Sequence, residues 1–477
     1  MLIEVLYGIG TLAGIHALLT KRNSHSALIW LTICVMFPVI GALAYLIFGV
    51  NRIKAMKRQW MLFGIHQQGE HTLLKPLPNP LDRLDHQNPD QMRLHHALNI
   101  TAGHISTYPL FQGCQILPLF DGTEAYPAML RAIEHAEKSI YLCTYIFGSR
   151  GIGLSFIEAL ERAHHRGVDV KVLIDGVGAL YAWPTAYRQL KNRGVPARLF
   201  LPPFRKWYYT LHVNLRDHQK ILVVDGKIGF TGGLNIHESN MARAPHTTPK
   251  ISDLHFQVEG PVVSALQDTV LRGWYFSAKG ETPPHILYFD DALKGSMLAR
   301  GIATGPHRTY PQLHYMLITA IQCASQKIRI LTPYLVLSTS LGSALNTAAL
   351  RGVEIEIILP EHNNLSFVKG ACETQMPSLL KAGIKIFYQQ GAFAHTKLVL
   401  IDDCCAFIGS ANLDIRSLYL NFEFNLQVMD IDFTQNLSLY FEKLKVKARK
   451  ITLEFLHSQH FLIKLRNNVY KLFSPYL

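Results

Sequence analysis

The sequence predicts an α/β protein: two similar domains in tandem, each a largely parallel or mixed sheet flanked by helices, behind an N-terminal transmembrane helical hairpin. Three observations carry that prediction. Short β-like runs alternate with helical stretches from about residue 112 onward, the pattern of α/β layering. Three segments of that region recur 185 to 189 residues later, which marks an internal duplication. The first 50 residues hold two long apolar segments, of the length a bilayer requires.

Residues 27–50 carry no charge over 24 positions, and Leu2–Thr20 is apolar apart from Glu4 and His16. No basic stretch precedes the first segment, and a stronger apolar one follows it, so a signal peptide fits poorly. Six residues, 21–26, suit a tight hairpin. Lys21 and Arg22 lie in that loop, whereas Arg52, Lys54, Lys57 and Arg58 follow the second segment. Four basic residues against two favour a cytoplasmic C-terminal side. Next comes "KPLPNPLDRLDHQNPDQ", residues 75–91, rich in Pro, Asn and Asp and read as linker.

In the regular region, residues 139–147 read as a strand, 155–166 as a helix and 168–174 as a strand. The repeats follow: "IYLCTYIF" at 140 resembles "IRILTPYL" at 328, "RGVDVKVLID" at 166 resembles "RGVEIEIILP" at 351, and "LKNRGVPARLF" at 190 resembles "LLKAGIKIFY" at 379. The seam falls near "SAKGETPPH", residues 277–285. The expected organisation is an anchor over 1–58, a linker over 59–111, domains over 112–280 and 281–450, and a basic amphipathic tail over 451–477.

The net charge of +13 points to an anionic partner: nucleic acid, acidic lipid or a phosphate-bearing substrate. Charge alone does not choose among them. The seven cysteines show no zinc-like Cys/His spacing and no CxxC, so neither a structural metal nor a disulfide framework is expected. Adjacent Cys404 and Cys405 are read as packing at a strand turn rather than as a redox pair.

The chemistry-bearing stretch is "GAFAHTKLVLIDDCCAFIGSANLDIRS", residues 391–417. His395 and Lys397, two apart, project to one face of a strand. Leu398–Ile401 reads as a buried strand ended by Asp402 and Asp403; residues 406–408 read as a second strand, and 409–412 as a turn. Alone, His-x-Lys would pass as a surface pair. Its twin is "LRDHQKILVVDGKIGFTGGLNI", residues 215–236. His218, Lys220, Asp225 and Asn235 recur in the order of His395, Lys397, Asp402 and Asn412; His to Asp spans seven positions and His to Asn 17 in both. Unconnected surface pairs would not keep four residue types in register.

Both copies resemble the HKD motif of the phospholipase D superfamily. A membrane hairpin followed by two such repeats is similar to bacterial cardiolipin synthases of the phospholipase D type, over nearly the whole chain; "LIFGVNRIK" and "FQVEGPVV" also fit. The resemblance implies two phospholipase D-like domains related by a pseudo-twofold axis. It implies a catalytic set of His218, Lys220, Asp225, His395, Lys397 and Asp402, with Asn235 and Asn412 binding substrate. One histidine, His218, would attack phosphorus in phosphatidylglycerol while the other, His395, protonates departing glycerol and then activates the second phosphatidylglycerol, giving cardiolipin. The lysines would neutralise the phosphate, so no metal or other cofactor is implied. Asp225 and Asp402, at the far ends of their strands, are expected to organise the motifs through hydrogen bonds. Asp253 and Glu423 could orient the histidine rings, although the sequence alone makes them ordinary polar residues. The expected setting is the bacterial inner membrane, multi-pass, with the catalytic domains cytoplasmic; anionic lipid is the expected partner and nucleic acid is not. A phospholipase D hydrolase, a phosphatidylserine synthase and, less readily, a nuclease would share the motifs.

Two further segments suit lipid. "FRKWYYTLH", residues 204–212, mixes basic and aromatic residues, as an interfacial loop or an ordinary cap on the core. "FLIKLRNNVYKLF", residues 461–473, places Leu462, Leu465, Val469, Leu472 and Phe473 along one helical face, either docked on the core or lying at a membrane surface.

Overall fold

The computed structural model describes residues 2–21, 24–49, 88–203, 215–244, 250–278, 292–305 and 311–472. The aromatic loop at 204–212, the basic residues at 52–58, most of the seam and Phe473 lie outside the described residues. The chain divides into two compact units, residues 1–59 and 60–477.

In the first unit, helix Leu2–Thr20 packs on Ser24–Met36 and Pro38–Ala44, and a π-helical turn covers Tyr45–Gly49. Gly10 allows the close approach: a Cβ there would lie 2.4 Å from the Cys34 carbonyl oxygen. The Tyr45 hydroxyl lies 2.8 Å from His16 Nδ1 and 3.2 Å from Thr20 Oγ1. Most aliphatic side chains face outward, Leu12, Leu19 and Ile40 among them. The uncharged run expected as one span is divided at Phe37–Pro38, because proline withholds the N–H a continuous helix needs. Among the described residues no helix is long and apolar enough to cross a membrane.

The second unit is built on one sheet of 15 strands. The first repeat supplies β1 (Phe111–Phe120), β2 (Ser139–Thr144), β3 (Asp169–Asp175), β4 (Ala197–Phe200), β5 (Ile221–Val224), β6 (Ile228–Gly232) and β7 (Leu254–Glu259). The second supplies β8 (Met297–Thr304), β9 (Lys327–Leu331), β10 (Glu354–Pro360), β11 (Lys385–Gln389), β12 (Leu398–Ile401), β13 (Cys405–Gly409), β14 (Glu423–Met429) and β15 (Ala448–Ile451). From the centre outward the first half runs β1-β7-β6-β5-β2-β3-β4 and the second β8-β14-β13-β12-β9-β10-β11-β15. Seven strands of each order match about the antiparallel β1–β8 pair, where Phe111 faces Ala299, and β15 is added at the outer edge of the second half. In each half the outer strands, β2-β3-β4 and β9-β10-β11, are parallel and joined by helices; the remaining neighbours of the duplicated set are antiparallel. Uninterrupted apolar strands such as "ILVV" and "LVLI" are buried on both faces, as their composition requires.

The stretch expected as linker is partly structured. Pro89–Ile105 forms a helix, Asn88 accepting from the Asp90 N–H at its start. Leu94, Leu98 and Ala102, four apart, enter the second repeat's core against helix Gln312–Cys323. That i, i+4, i+8 spacing was hidden by the polar residues before it.

Candidate active site

Each motif strand ends in the same tight turn. Asp225 and Gly226 have φ of 55° and 65°, and Asp402 and Asp403 have 50° and 51°. Lys227 N–H donates to the Val224 carbonyl and Cys404 N–H to that of Ile401. Two successive positive φ values suit Asp and Gly but few other residues. From this turn the Asp225 carboxylate accepts from the backbone N–H groups of Glu137 (3.0 Å), Lys138 (2.7 Å) and Ser139 (2.9 Å). The Asp402 carboxylate accepts from those of Ser325, Gln326 and Lys327 at 2.8 to 2.9 Å, and from the Ser325 hydroxyl at 3.2 Å. Both aspartates therefore fasten the motif strand to the start of its neighbour, β2 or β9. Cys404 and Cys405 are buried free thiols beside the turn.

The histidines and lysines occupy the opposite ends of these strands, where the two repeats interlock. Phe393–Ala394 pairs in parallel with Ile251–Ser252, and Asp217 bridges in parallel to Phe422. The His395 N–H donates to the Ser252 carbonyl at 2.8 Å and the His218 N–H to the Phe422 carbonyl at 2.9 Å. The next residues, Asp253 and Glu423, then meet the rings of the opposite repeat. His395 Nδ1 lies 2.7 Å from Asp253 Oδ2, and His218 Nδ1 lies 3.0 Å from both carboxylate oxygens of Glu423. When its carboxylate is ionised and can only accept, each ring carries its proton on Nδ1 and leaves the lone pair on Nε2.

Lys220 Nζ donates to the His218 carbonyl at 2.6 Å. Lys397 Nζ lies 2.6 Å from His395 Nδ1 and 3.4 Å from Asp253 Oδ2, and also donates to the His395 carbonyl. Each lysine acts electrostatically on the histidine of the other repeat. These two histidines and two lysines thus form one cluster. Burial, then the lysine charges, hold the His218 ring well below the ordinary imidazole range and His395 at about 4. Burial likewise lowers Lys220 to about 7 and Lys397 to about 8.

The supporting carboxylates differ. Burial pushes Glu423 up to about 7, although Lys220 and the Ser410 hydroxyl oppose it. Burial would raise Asp253 too, but Lys397 and the His395 hydrogen bond outweigh it and hold the carboxyl below its usual range. The neighbours differ to match. Ser410 donates its hydroxyl to Glu423 at 2.6 Å, whereas the corresponding residue is Gly233, where a Cβ would lie 2.1 Å from Asp253 Oδ2.

Asn235 Oδ1 accepts from the Ile146 N–H at 3.2 Å, and Asn412 is buried beside Asp414. Both sit in the turn after their motif. Reasoning from sequence passed over Tyr145, whose ring stands edge-on to His218 at 5.1 Å and under Lys220 Nζ at 5.6 Å. It left Asp253 and Glu423 undecided because they lie 35 and 28 positions beyond their own histidines, out of register, and because each serves the other repeat.

Two fused half-sites, each lending a carboxylate to the other's histidine, define a phospholipase D-type phosphotransfer enzyme. Residues 129–253 and 317–445 match the family described as cardiolipin synthase, PLD-like domain, and residues 10–49 match the phospholipase D-nuclease N-terminal family. The chain is 31% identical to cardiolipin synthase A of Pseudomonas entomophila over 100% of its length and 98% of the relative's. It is likewise 31% identical to that of Pseudomonas fluorescens strain Pf-5, with the same coverage. A crystal structure of phosphatidylserine synthase from Haemophilus influenzae shares the fold, with a TM-score of 0.58 and 16% identity over 80% of this chain and 100% of that one. The chain belongs to the phospholipase D-type cardiolipin synthase family.

Proposed function

We propose that the protein is a cardiolipin synthase that joins two phosphatidylglycerols, releasing glycerol, through a phosphatidyl-histidine intermediate. The observation that carries this reading is the crossed pair of histidine–carboxylate contacts beside the two motif lysines, together with the full-length similarity to cardiolipin synthases. In-line displacement at a phosphodiester needs a nucleophile on one side of phosphorus and a proton donor on the other.

The unequal carboxylates support unequal roles. Asp253, held ionised, favours an imidazolium on His395, and an arriving phosphate monoanion favours it further. Glu423, raised to about 7, supports an imidazolium on His218 less, and His218 stays the neutral nucleophile. In the first step a P–N bond forms to His218 Nε2 and the P–O bond to glycerol breaks, the alkoxide taking the proton from His395. In the second step His395 takes the proton of the second phosphatidylglycerol's hydroxyl, a P–O bond forms, the P–N bond breaks and His218 is released. Lys220 and Lys397 donate to the nonbridging oxygens, and the amide nitrogens of Asn235 and Asn412 add neutral donors. Asp225 and Asp402 act only by fixing the strands. The N-terminal unit is proposed to hold the protein in the inner membrane as a two-helix anchor, with the catalytic unit on the cytoplasmic side, supported by the uncharged length of residues 27–50 and the basic residues that follow.

Purified protein incubated with headgroup-labelled and phosphate-labelled phosphatidylglycerol should yield cardiolipin and free glycerol on thin-layer chromatography. Phosphatidic acid as the sole product would make the protein a hydrolase, and digestion of DNA without lipid turnover would make it a nuclease. With His395→Asn, quenching and peptide mapping should place phosphate on the peptide containing His218; label on His395 in His218→Asn would reverse the two roles.

A further inference from the structure

We propose that the mouth of the active site carries an apolar collar that seats against the headgroup region of an anionic phospholipid bilayer. The collar comprises Leu180, Tyr181 and Trp183 of the first repeat, Leu365 and Phe367 of the second, and the outer face of helix Phe461–Leu472. The proposal rests on the phosphatidyltransfer reading and adds the surface through which the catalytic unit reaches its lipid.

A chain of contacts runs from the reacting histidine to this surface. The His218 ring lies 5.1 Å from Tyr145, and Tyr145 lies 6.4 Å from Tyr181. Tyr181 begins the exposed group: Leu180, Tyr181 and Trp183 are 60%, 66% and 75% exposed within four residues. Tyr334 of the second repeat lies within electrostatic reach of both Tyr145 and Tyr181. Its hydroxyl donates to Asn364 Oδ1 at 2.6 Å, next to Leu365 and Phe367, which are also exposed. Tyr334 and Tyr470 pack on one small cluster of Val336, Val368 and Ala371, which brings in the C-terminal helix.

That helix is docked the unusual way round. Its buried residue is Asn467, which donates to Glu373 at 3.0 Å and with Tyr470 closes on Gly370. Phe461, Leu462, Leu465, Val469 and Leu472 face outward, Leu472 being 76% exposed. Scattered exposed leucines are ordinary, but aliphatic and aromatic side chains from three segments joined through one site mark a binding surface.

Charge and chemistry select the occupant. Arg150 donates to the Trp183 carbonyl at 3.4 Å, and Lys464, Arg466 and Lys471 lie on the C-terminal helix. Tryptophan, tyrosine and long basic side chains around an apolar face match the headgroup level of an anionic bilayer. A second copy of the chain would meet the same cations and cover the mouth through which lipid must enter.

The test uses the full-length protein in mixed micelles of detergent and phosphatidylglycerol, with monomeric dihexanoyl-phosphatidylglycerol as the parallel substrate. Leu180→Ser with Trp183→Ser, and separately Leu462→Ser with Leu465→Ser, should each raise the KM expressed as lipid mole fraction by about fivefold or more while turnover of the monomeric substrate is unchanged. A thermal melt establishes that each variant is folded. Independently, phosphatidylglycerol brominated in its acyl chains should quench tryptophan fluorescence less in Trp183→Phe than in the parent. Unchanged KM in both double variants and unchanged quenching in Trp183→Phe would overturn the proposal, as would a changed oligomeric state with unchanged KM, which would make the patch a self-interface. Failure of the parent to transfer from either lipid would sink the function instead, and the quenching experiment would still decide on the collar.

Discussion

The motif aspartates offer the sharpest division between structure and chemistry, and Asp402→Asn separates the two. Its carboxylate accepts from three backbone N–H groups and one hydroxyl. Asparagine keeps one acceptor oxygen, enough for Gln326 and Lys327, but turns an N–H₂ toward the Ser325 N–H. Downgrading two charge-assisted bonds costs about 1 kcal/mol each, and an orphaned N–H costs about 1–3 kcal/mol when fully buried. Ser325 and Gln326 are exposed, so water recovers part of this, and the net loss is about 2–3 kcal/mol. Asparagine tolerates the φ of 50° at this turn, so no backbone strain is added. At roughly 2 °C per kcal/mol for a large domain, the melting midpoint should fall by about 4–6 °C. Asp402→Ala loses all four bonds and adds about 1–2 kcal/mol of left-handed strain, so it should fall further. The assay is a melt of detergent-solubilised protein, paired with kcat well below the transition and normalised to folded protein. Asp402→Asn should retain kcat within about threefold, against the roughly 10²- to 10⁴-fold loss expected when an acid–base group is removed. A hundredfold loss of kcat with an unchanged melt would refute the reasoning and return Asp402 to the chemistry.

Three further outcomes follow from the site and the anchor. Because Lys220 and Lys397 titrate at about 7 and about 8, raising the pH removes the cations that bind phosphate, so kcat/KM should decline as pH rises through that window. Bound phosphate stabilises the charged lysines and should shift the decline in kcat to higher pH; a flat kcat/KM profile to about pH 9.5 would contradict this. Activity of well-washed membranes should survive EDTA, since lysines supply the charge neutralisation; complete loss restored only by one divalent ion would show that the proposed mechanism is wrong. Deleting residues 1–58 should release the protein from membranes or leave it weakly bound through the collar, and unchanged extraction behaviour would show that this unit is not the main anchor.

What the sequence made legible was whatever repeats locally. The doubled His-x-Lys spacing identified the four residues that cluster, and Leu398–Ile401 with its Asp-Asp turn is a strand with those bounds. The duplication surfaced as two matching halves of one sheet. Less legible were features set by contacts distant in sequence. Helix Pro89–Ile105 precedes the first repeat yet packs into the core of the second, a destination no local pattern encodes. The C-terminal helix has the amphipathic spacing the sequence indicates, but periodicity cannot say which face meets the protein. Here buried hydrogen bonding by Asn467 prevails over the aliphatic stripe.

The crossed carboxylates show why the two copies work as one unit. Each histidine is bound to the other repeat twice, by its backbone N–H to the residue before the carboxylate and by its ring to the carboxylate itself. Phe422 N–H also donates to the Arg216 carbonyl at 2.9 Å, so the His218 side of the seam is a short parallel ladder. Separating the repeats would therefore remove both ring partners together and leave two imidazoles without tautomer control, while Asp253 would lose Lys397 and the His395 bond and Glu423 would lose Lys220. A single repeat would keep its own His-x-Lys strand and its Asp-fastened turn, both local, and lack an oriented histidine. The unit of folding in the sequence is the repeat; the unit of chemistry is the seam, because each histidine ring takes its carboxylate from the other half.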